Sequence, residues 1–148
     1  MIVVLYVVIG LLAATGCVTV SRRFLGPRAE QVFYAVFLVV IAAFYLAFAA
    51  HFRSAMAWRL ESAAVVAFFA IGLAGARLPV ALVVGYLLHG PWDLLHELVQ
   101  QGAISAFEPG QLTAVPLAYG FFCAAFDLFM AGYIYQRRGA WAAASHAT

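Results

Sequence analysis

The residues best placed to do chemistry lie in one apolar stretch, Leu87-Leu-His-Gly-Pro-Trp-Asp-Leu-Leu-His-Glu97. His89, Asp93 and His96 recur at i, i+4 and i+7, so on a helix turning ~100° per residue they fall within ~60° of one another. The run around them, Leu78 to Val99, is long enough to cross a bilayer. Ionisable groups are costly in hydrocarbon, and three aligned in one span call for a polar, protein-lined setting. Two chemistries fit. One is a transition-metal site, since imidazole suits zinc, copper or iron and carboxylates complete a nitrogen–oxygen ligand set. His89, Asp93 and His96 would be ligands from one helix, with His51 or Glu61 joining from others. An open coordination position would then activate water or oxygen against a lipid-like substrate. The spacing is far less specific than a true H-E-x-x-H signature. The other chemistry is metal-free acid–base catalysis, in which Asp93 fixes the tautomer of a histidine and the second histidine passes protons. The same groups would also serve a proton or ion path. A haem held between His51 and His89 or His96 is a further option that no other motif supports.

The elements that must position these groups are membrane-spanning helices. Of 148 residues, 67% are hydrophobic and 9% charged, and the mean hydropathy is +1.01. Soluble domains carry about 25% charged residues, so this chain lacks the groups for an ordinary water-facing surface. All eight basic residues are arginines, and they form no basic face of the kind that nucleic acid requires. Cys17 and Cys123 sit in apolar runs, which favours packed thiols over a disulfide. The expected fold is all-α, a single transmembrane domain forming a five-helix bundle.

The spans are read at about 2–20, 31–52, 57–76, 78–99 and 113–135, followed by an uninformative tail over 136–148. The first lacks the basic start of a signal peptide and has too long an apolar core, so it reads as a retained span. Ser21 to Glu30 reads as a polar connection with Gly26-Pro27 as its turn. Trp58 fits an interfacial belt, and Trp141 an interfacial position after the last span. Pro91 within span four removes one backbone hydrogen bond and is expected to kink the helix beside His89. No internal repeat supports an inverted-repeat carrier.

With the segment 21–30 on the cytoplasmic side, Arg22, Arg23, Arg28, Arg77, Arg137 and Arg138 share that face, and only Arg53 and Arg59 lie opposite. This positive-inside bias predicts N-terminus outside and C-terminus cytoplasmic in a cell (inner) membrane. Asp93 then lies ~9 Å and His89 ~15 Å below the outer end of span four, and Asp127 ~21 Å below that of span five. His51, Glu61, His89, Asp93, His96 and Glu97 therefore share the outer leaflet. Tyr119, Cys123, Asp127, Met130 and Ile134 line one broad, inward-looking face of span five.

Plainer roles stand beside these. Interhelical polar contacts average only about 0.6 kcal/mol where measured, so each group could simply satisfy another. For Glu61 the plain reading is a pair with Arg59, and for Glu97 headgroups or water. His146 reads the same way. For Asp127 a structural bond competes with a relay. For His89, Asp93 and His96 a functional role is preferred.

Gly85-Tyr-Leu-Leu-His-Gly-Pro-Trp-Asp-Leu-Leu-His96 resembles the central motif of an uncharacterised family of small bacterial membrane proteins. The matching positions are Gly85, His89, Trp92, Asp93 and His96, then Phe107, Pro109, Cys123 and Asp127. Tyr86 replaces a tryptophan of the pattern and Glu97 the second of two histidines. The resemblance spans roughly the C-terminal half and implies a polytopic membrane protein with a shared site; no activity comes with it. The sequence-based expectation is a polar site open to the outer leaflet, belonging to a metal-dependent or His/Asp acid–base enzyme on a lipid-like substrate. The alternative is a non-enzymatic small transporter, ion-binding or assembly subunit. The partners expected are the lipid bilayer and an apolar small molecule; Ala67, Ala70 and Ala74 would permit a homo-oligomer.

Overall fold

The computed structural model describes residues 1–98 and 116–146, apart from the side chains of 96–98, 116–117 and 145–146. Among the described residues the chain forms six helices: α1 Ile2–Phe24, α2 Pro27–Ala42, α3 Phe44–His51, α4 Ala55–Gly75, α5 Pro79–Leu98 and α6 Pro116–His146. α2 and α3 run end to end through Ala43, whose N–H is shared between the carbonyls of Val39 and Val40. Together they make one apolar unit, Pro27–His51. This unit, α1, α4 and the Ala118–Ala144 stretch of α6 are long and apolar enough to cross a membrane. α5, with 20 residues, is ~30 Å long, about the thickness of the hydrocarbon core. The molecule is an all-helical, multi-pass membrane protein.

The helix ends follow from local chemistry. Pro27 opens α2 where a missing N–H costs nothing. Ser54 caps α4 by accepting from the Ala57 N–H at 3.2 Å. Between α3 and α4 the chain reverses through Arg53, which takes the left-handed conformation at φ 54°. The Ser54 and Arg53 N–H groups bond back to Ala49 and Ala50, both at 3.2 Å. This is a Schellman closure made without its usual glycine.

α6 is the central post. α5 packs along one side of it and α1 along another; α4 flanks α5, and α2 closes on α4 while touching α5 and α6. α1 buries only Gly10, Ala14 and Ser21, and at Gly10 a Cβ would stand 2.5 Å from the Phe122 carbonyl. A glycine there is what lets α1 lie on α6. The same device, Gly72 against the Ala35 carbonyl, seats α4 on α2. Outward positions are as apolar as the core, for example Val4, Leu12, Val66 and Leu73, as expected of lipid-facing helices. Ala67, Ala70 and Ala74 lie on an exposed face of α4.

Two expectations need correction. The polar connection read over 21–30 narrows to Leu25-Gly26, with the turn at Gly26-Pro27 as expected: α1 continues to Phe24, and Glu30 lies buried in the first turn of α2. The tail is not idle, because α6 runs to His146 and Trp141 is fully buried rather than interfacial. α5 is continuous through Pro91.

Candidate acid–base site

His89 and Asp93 are one turn apart on the inward face of α5, with Nε2 and Oδ1 separated by 3.7 Å and both side chains about 1% exposed. The second nitrogen of His89 looks at α6, where Asp127 Oδ2 lies 2.7 Å from Nδ1, a hydrogen-bonded distance. One imidazole thus stands between two carboxylates inside the bundle. The neighbouring residue makes this possible. A Cβ on Gly90 would come within 3.2 Å of both Ala124 Cα and Asp127 Cβ, so glycine lets α6 approach closely enough for Asp127 to reach the ring. Phe68 of α4 packs edge-on to the imidazole at 5.1 Å between centroids. Oδ1 of Asp127 has no hydrogen-bond partner among the described residues. Leaving a buried oxygen unbonded is costly, so this atom marks a place where a donor belongs.

The other sequence-predicted residues separate into three groups. Glu61 is buried and joins the site's edge, where its Oε2 accepts from the Trp92 indole N–H at 3.4 Å. Arg59, its expected partner, points outward. Trp92, which precedes Asp93 in the chain, therefore ties the α4 carboxylate to α5 beside the site. His51 is exposed at the end of α3 with its ring against Phe52, so it is not drawn in among the buried groups. Leu38, Ala42, Tyr45 and Ala49 keep one buried face across the α2–α3 junction, and His51, two residues past Ala49, falls on the opposite face. His96 and Glu97 lie on α5, but their side chains fall outside the described residues. Tyr45 of α3 reaches the same region, its hydroxyl 3.4 Å from the Asp93 carbonyl. Among the described residues no three His, Cys, Asp or Glu side chains are disposed to hold a metal ion.

Asp127 also forms part of a cavity wall. Where α1 and α2 stand apart over α6, a cavity of about 220 Å³ is lined by Ala13 and Cys17 of α1, Ile41 of α2, and Tyr119, Phe122 and Asp127 of α6 among others. Its surface is overwhelmingly apolar. Both cysteines are free thiols, and both border this space.

A second buried polar group, which the sequence did not announce, occupies the arginine-rich end. Glu30 is fully buried and accepts from Arg137 Nη2 at 2.9 Å and the Trp141 indole at 2.8 Å. The Tyr133 hydroxyl and Ser21, the latter at 3.3 Å, donate to its other oxygen. Trp141 stacks on Tyr34 at 6.0 Å. Tyr133, Arg137 and Trp141 succeed one another at intervals of four, which puts them on one face of α6 but does not point to Glu30. Gln31 and Arg28 close the end of α4 by donating to the carbonyls of Gly75 and Ala76. Every oxygen of Glu30 is engaged, so this cluster holds α1, α2 and α6 together.

Fold and site define a multi-span membrane protein with an imidazole buried between two carboxylates. The chain belongs to the family of unknown function DUF6010, whose model matches residues 1–141. The match therefore takes in both halves of the chain, beyond the C-terminal motif. No curated protein matches it, and no solved structure does.

Proposed function

We propose that the protein is a membrane-embedded acid–base site acting on a lipid-like molecule. One observation carries this reading: Asp127 is at once a wall of the apolar cavity and the hydrogen-bond partner of His89. Asp127 is the group that gives a proton to, or takes one from, the cavity. His89 orients it through Nδ1 and, with Nε2 turned toward Asp93, moves the compensating proton to the far carboxylate. Tight burial keeps bulk water from short-circuiting the transfer. The test is incubation of the purified protein with vesicles of host lipid extract in deuterated and ¹⁸O-labelled water. Mass spectrometry should find solvent isotope entering one lipid class with wild type and not with His89→Asn. No difference between the two across all lipid classes refutes the reading.

A carrier is the second reading, favoured by the placement of one carboxylate at each nitrogen of the ring, which is also the layout of a proton relay. Proton flux into liposomes that is lost in His89→Asn, without isotope incorporation, selects it.

We further assign the arginine-rich end to the cytoplasmic side of a cell (inner) membrane, with the N-terminus outside, on the positive-inside rule. Cysteines introduced at Gly26 and Ser54, in a background lacking Cys17 and Cys123, should react with impermeant reagents from opposite sides.

A further inference from the structure

The cavity between α1 and α2 has a specific chemical demand. Its walls are almost wholly apolar, while Asp127 in the wall is about 1% exposed and keeps one carboxylate oxygen unbonded among the described residues. A ligand that satisfies it must be hydrocarbon over most of its surface and must bring one donor. A fatty acid would set a second carboxylate against Asp127. An ammonium would carry three donors and a full charge into a wall whose other polar groups are two thiols and one phenol, a costly burial. A hydroxyl brings one donor for one oxygen. From Asp127 to Tyr119 the α6 wall runs ~12 Å, enough to guide a chain rather than a small solvent-like molecule. The flank of α1 beside the cavity, including Ile9 and Leu12, is exposed and apolar, so a tail leaving between α1 and α2 meets lipid.

We infer that this cavity binds a long-chain lipid alcohol, its hydroxyl donating to Asp127 Oδ1 and its chain running along α6 toward Tyr119. The inference deepens the acid–base reading by naming the class of molecule that Asp127 meets, and it rests on that reading for any chemistry after binding. Its test reads binding alone. The full-length protein in phosphatidylcholine vesicles is irradiated with hexadecanol carrying a diazirine in its chain, and the labelled peptides are mapped. Labelling should fall on α1 near Ala13 and on α6 near Phe122. Unlabelled hexadecanol should compete, and its methyl ether, which lacks the donor, should not. Asp127→Leu, which removes the acceptor, should lower labelling about tenfold, the worth of one buried hydrogen bond, and Ala13→Phe, which fills the cavity from another helix, should lower it as well. Two variants on separate helices keep the result independent of a folding defect in either. Unchanged labelling in either variant, an ether that competes as well as the alcohol, or hexadecylamine competing better overturns the inference. Labelling that persists in His89→Asn beside absent isotope incorporation in wild type refutes the acid–base reading and leaves the binding site standing.

Discussion

Replacing His89 and Asp127 by leucine, singly and together, separates what the buried trio contributes to stability from what it does. The two side chains meet at 2.7 Å with about 1% of each exposed. Removing one member of a buried ionic pair costs about 3–5 kcal/mol in soluble proteins, because the other is left uncompensated. At membrane depth such a group finds substitutes, and measured interhelical pairs average about 0.6 and reach about 1.7 kcal/mol. His89→Leu leaves Asp127 without its ring and takes the nitrogen 3.7 Å away from Asp93, which places its cost between those limits, at about 2–3 kcal/mol. Asp127→Leu leaves His89 still facing Asp93, so a smaller loss of about 1–2 kcal/mol is expected. Leucine fits at both positions: residue 127 borders a cavity of about 220 Å³, and at 89 it meets the ring of Phe68. The double variant leaves neither partner of the close pair behind and should unfold within about 1 kcal/mol of wild type. The coupling is then about 2–5 kcal/mol. Unfolding in detergent followed by tryptophan fluorescence measures all four proteins, and isotope incorporation measures their chemistry. A double variant that is stable and inert assigns the trio to chemistry rather than to holding the bundle together. Losses that simply add, with coupling under about 0.5 kcal/mol, would refute the claim that the two residues act as a pair.

The packing sets further outcomes. Gly10→Leu puts a side chain into the Phe122 carbonyl 2.5 Å from where its Cβ must sit, so α1 should detach from α6, read as new protease cleavage within α1 and a fall in Tm. Trp141→Ala empties a fully buried site and should cost about 3–5 kcal/mol, with truncation after Gln136 at least as damaging; equal stability would return the tail to a passive role. Arg53→Gly removes the left-handed penalty at φ 54° and should stabilise by up to about 1 kcal/mol in the same unfolding assay. The transition-metal proposal is decided by elemental analysis: if His96 completes a ligand set with His89 and Asp93, purified protein carries near-stoichiometric zinc, copper or iron that is lost in both His89→Ala and His96→Ala, and metal-free protein removes the proposal.

Local properties of the chain are legible without any coordinates. Hydropathy establishes the membrane class and the helical passes, because crossing a bilayer demands long runs of apolar residues wherever they end up in the bundle. Helical geometry places His89 and Asp93 on one face and puts Asp127 with Tyr119, Cys123, Met130 and Ile134 on another, and all of these are buried except the half-buried Tyr119. Partners are a matter of packing. Hydropathy does not tell the inner face of a membrane helix from the outer, since lipid-facing Leu12 and Val66 are as apolar as buried Leu38 and Leu82. Sequence reasoning therefore turns His51 inward and pairs Glu61 with Arg59, whereas His51 lies exposed and Glu61 meets Trp92. The contact between His89 and Asp127 joins residues 38 positions apart and depends on Gly90 allowing α6 to close in. Trp141 lies 111 positions from Glu30, and no local pattern connects them. Helices form from neighbours along the chain; a site forms where the faces of different helices meet, and here a few glycines set how near those faces come.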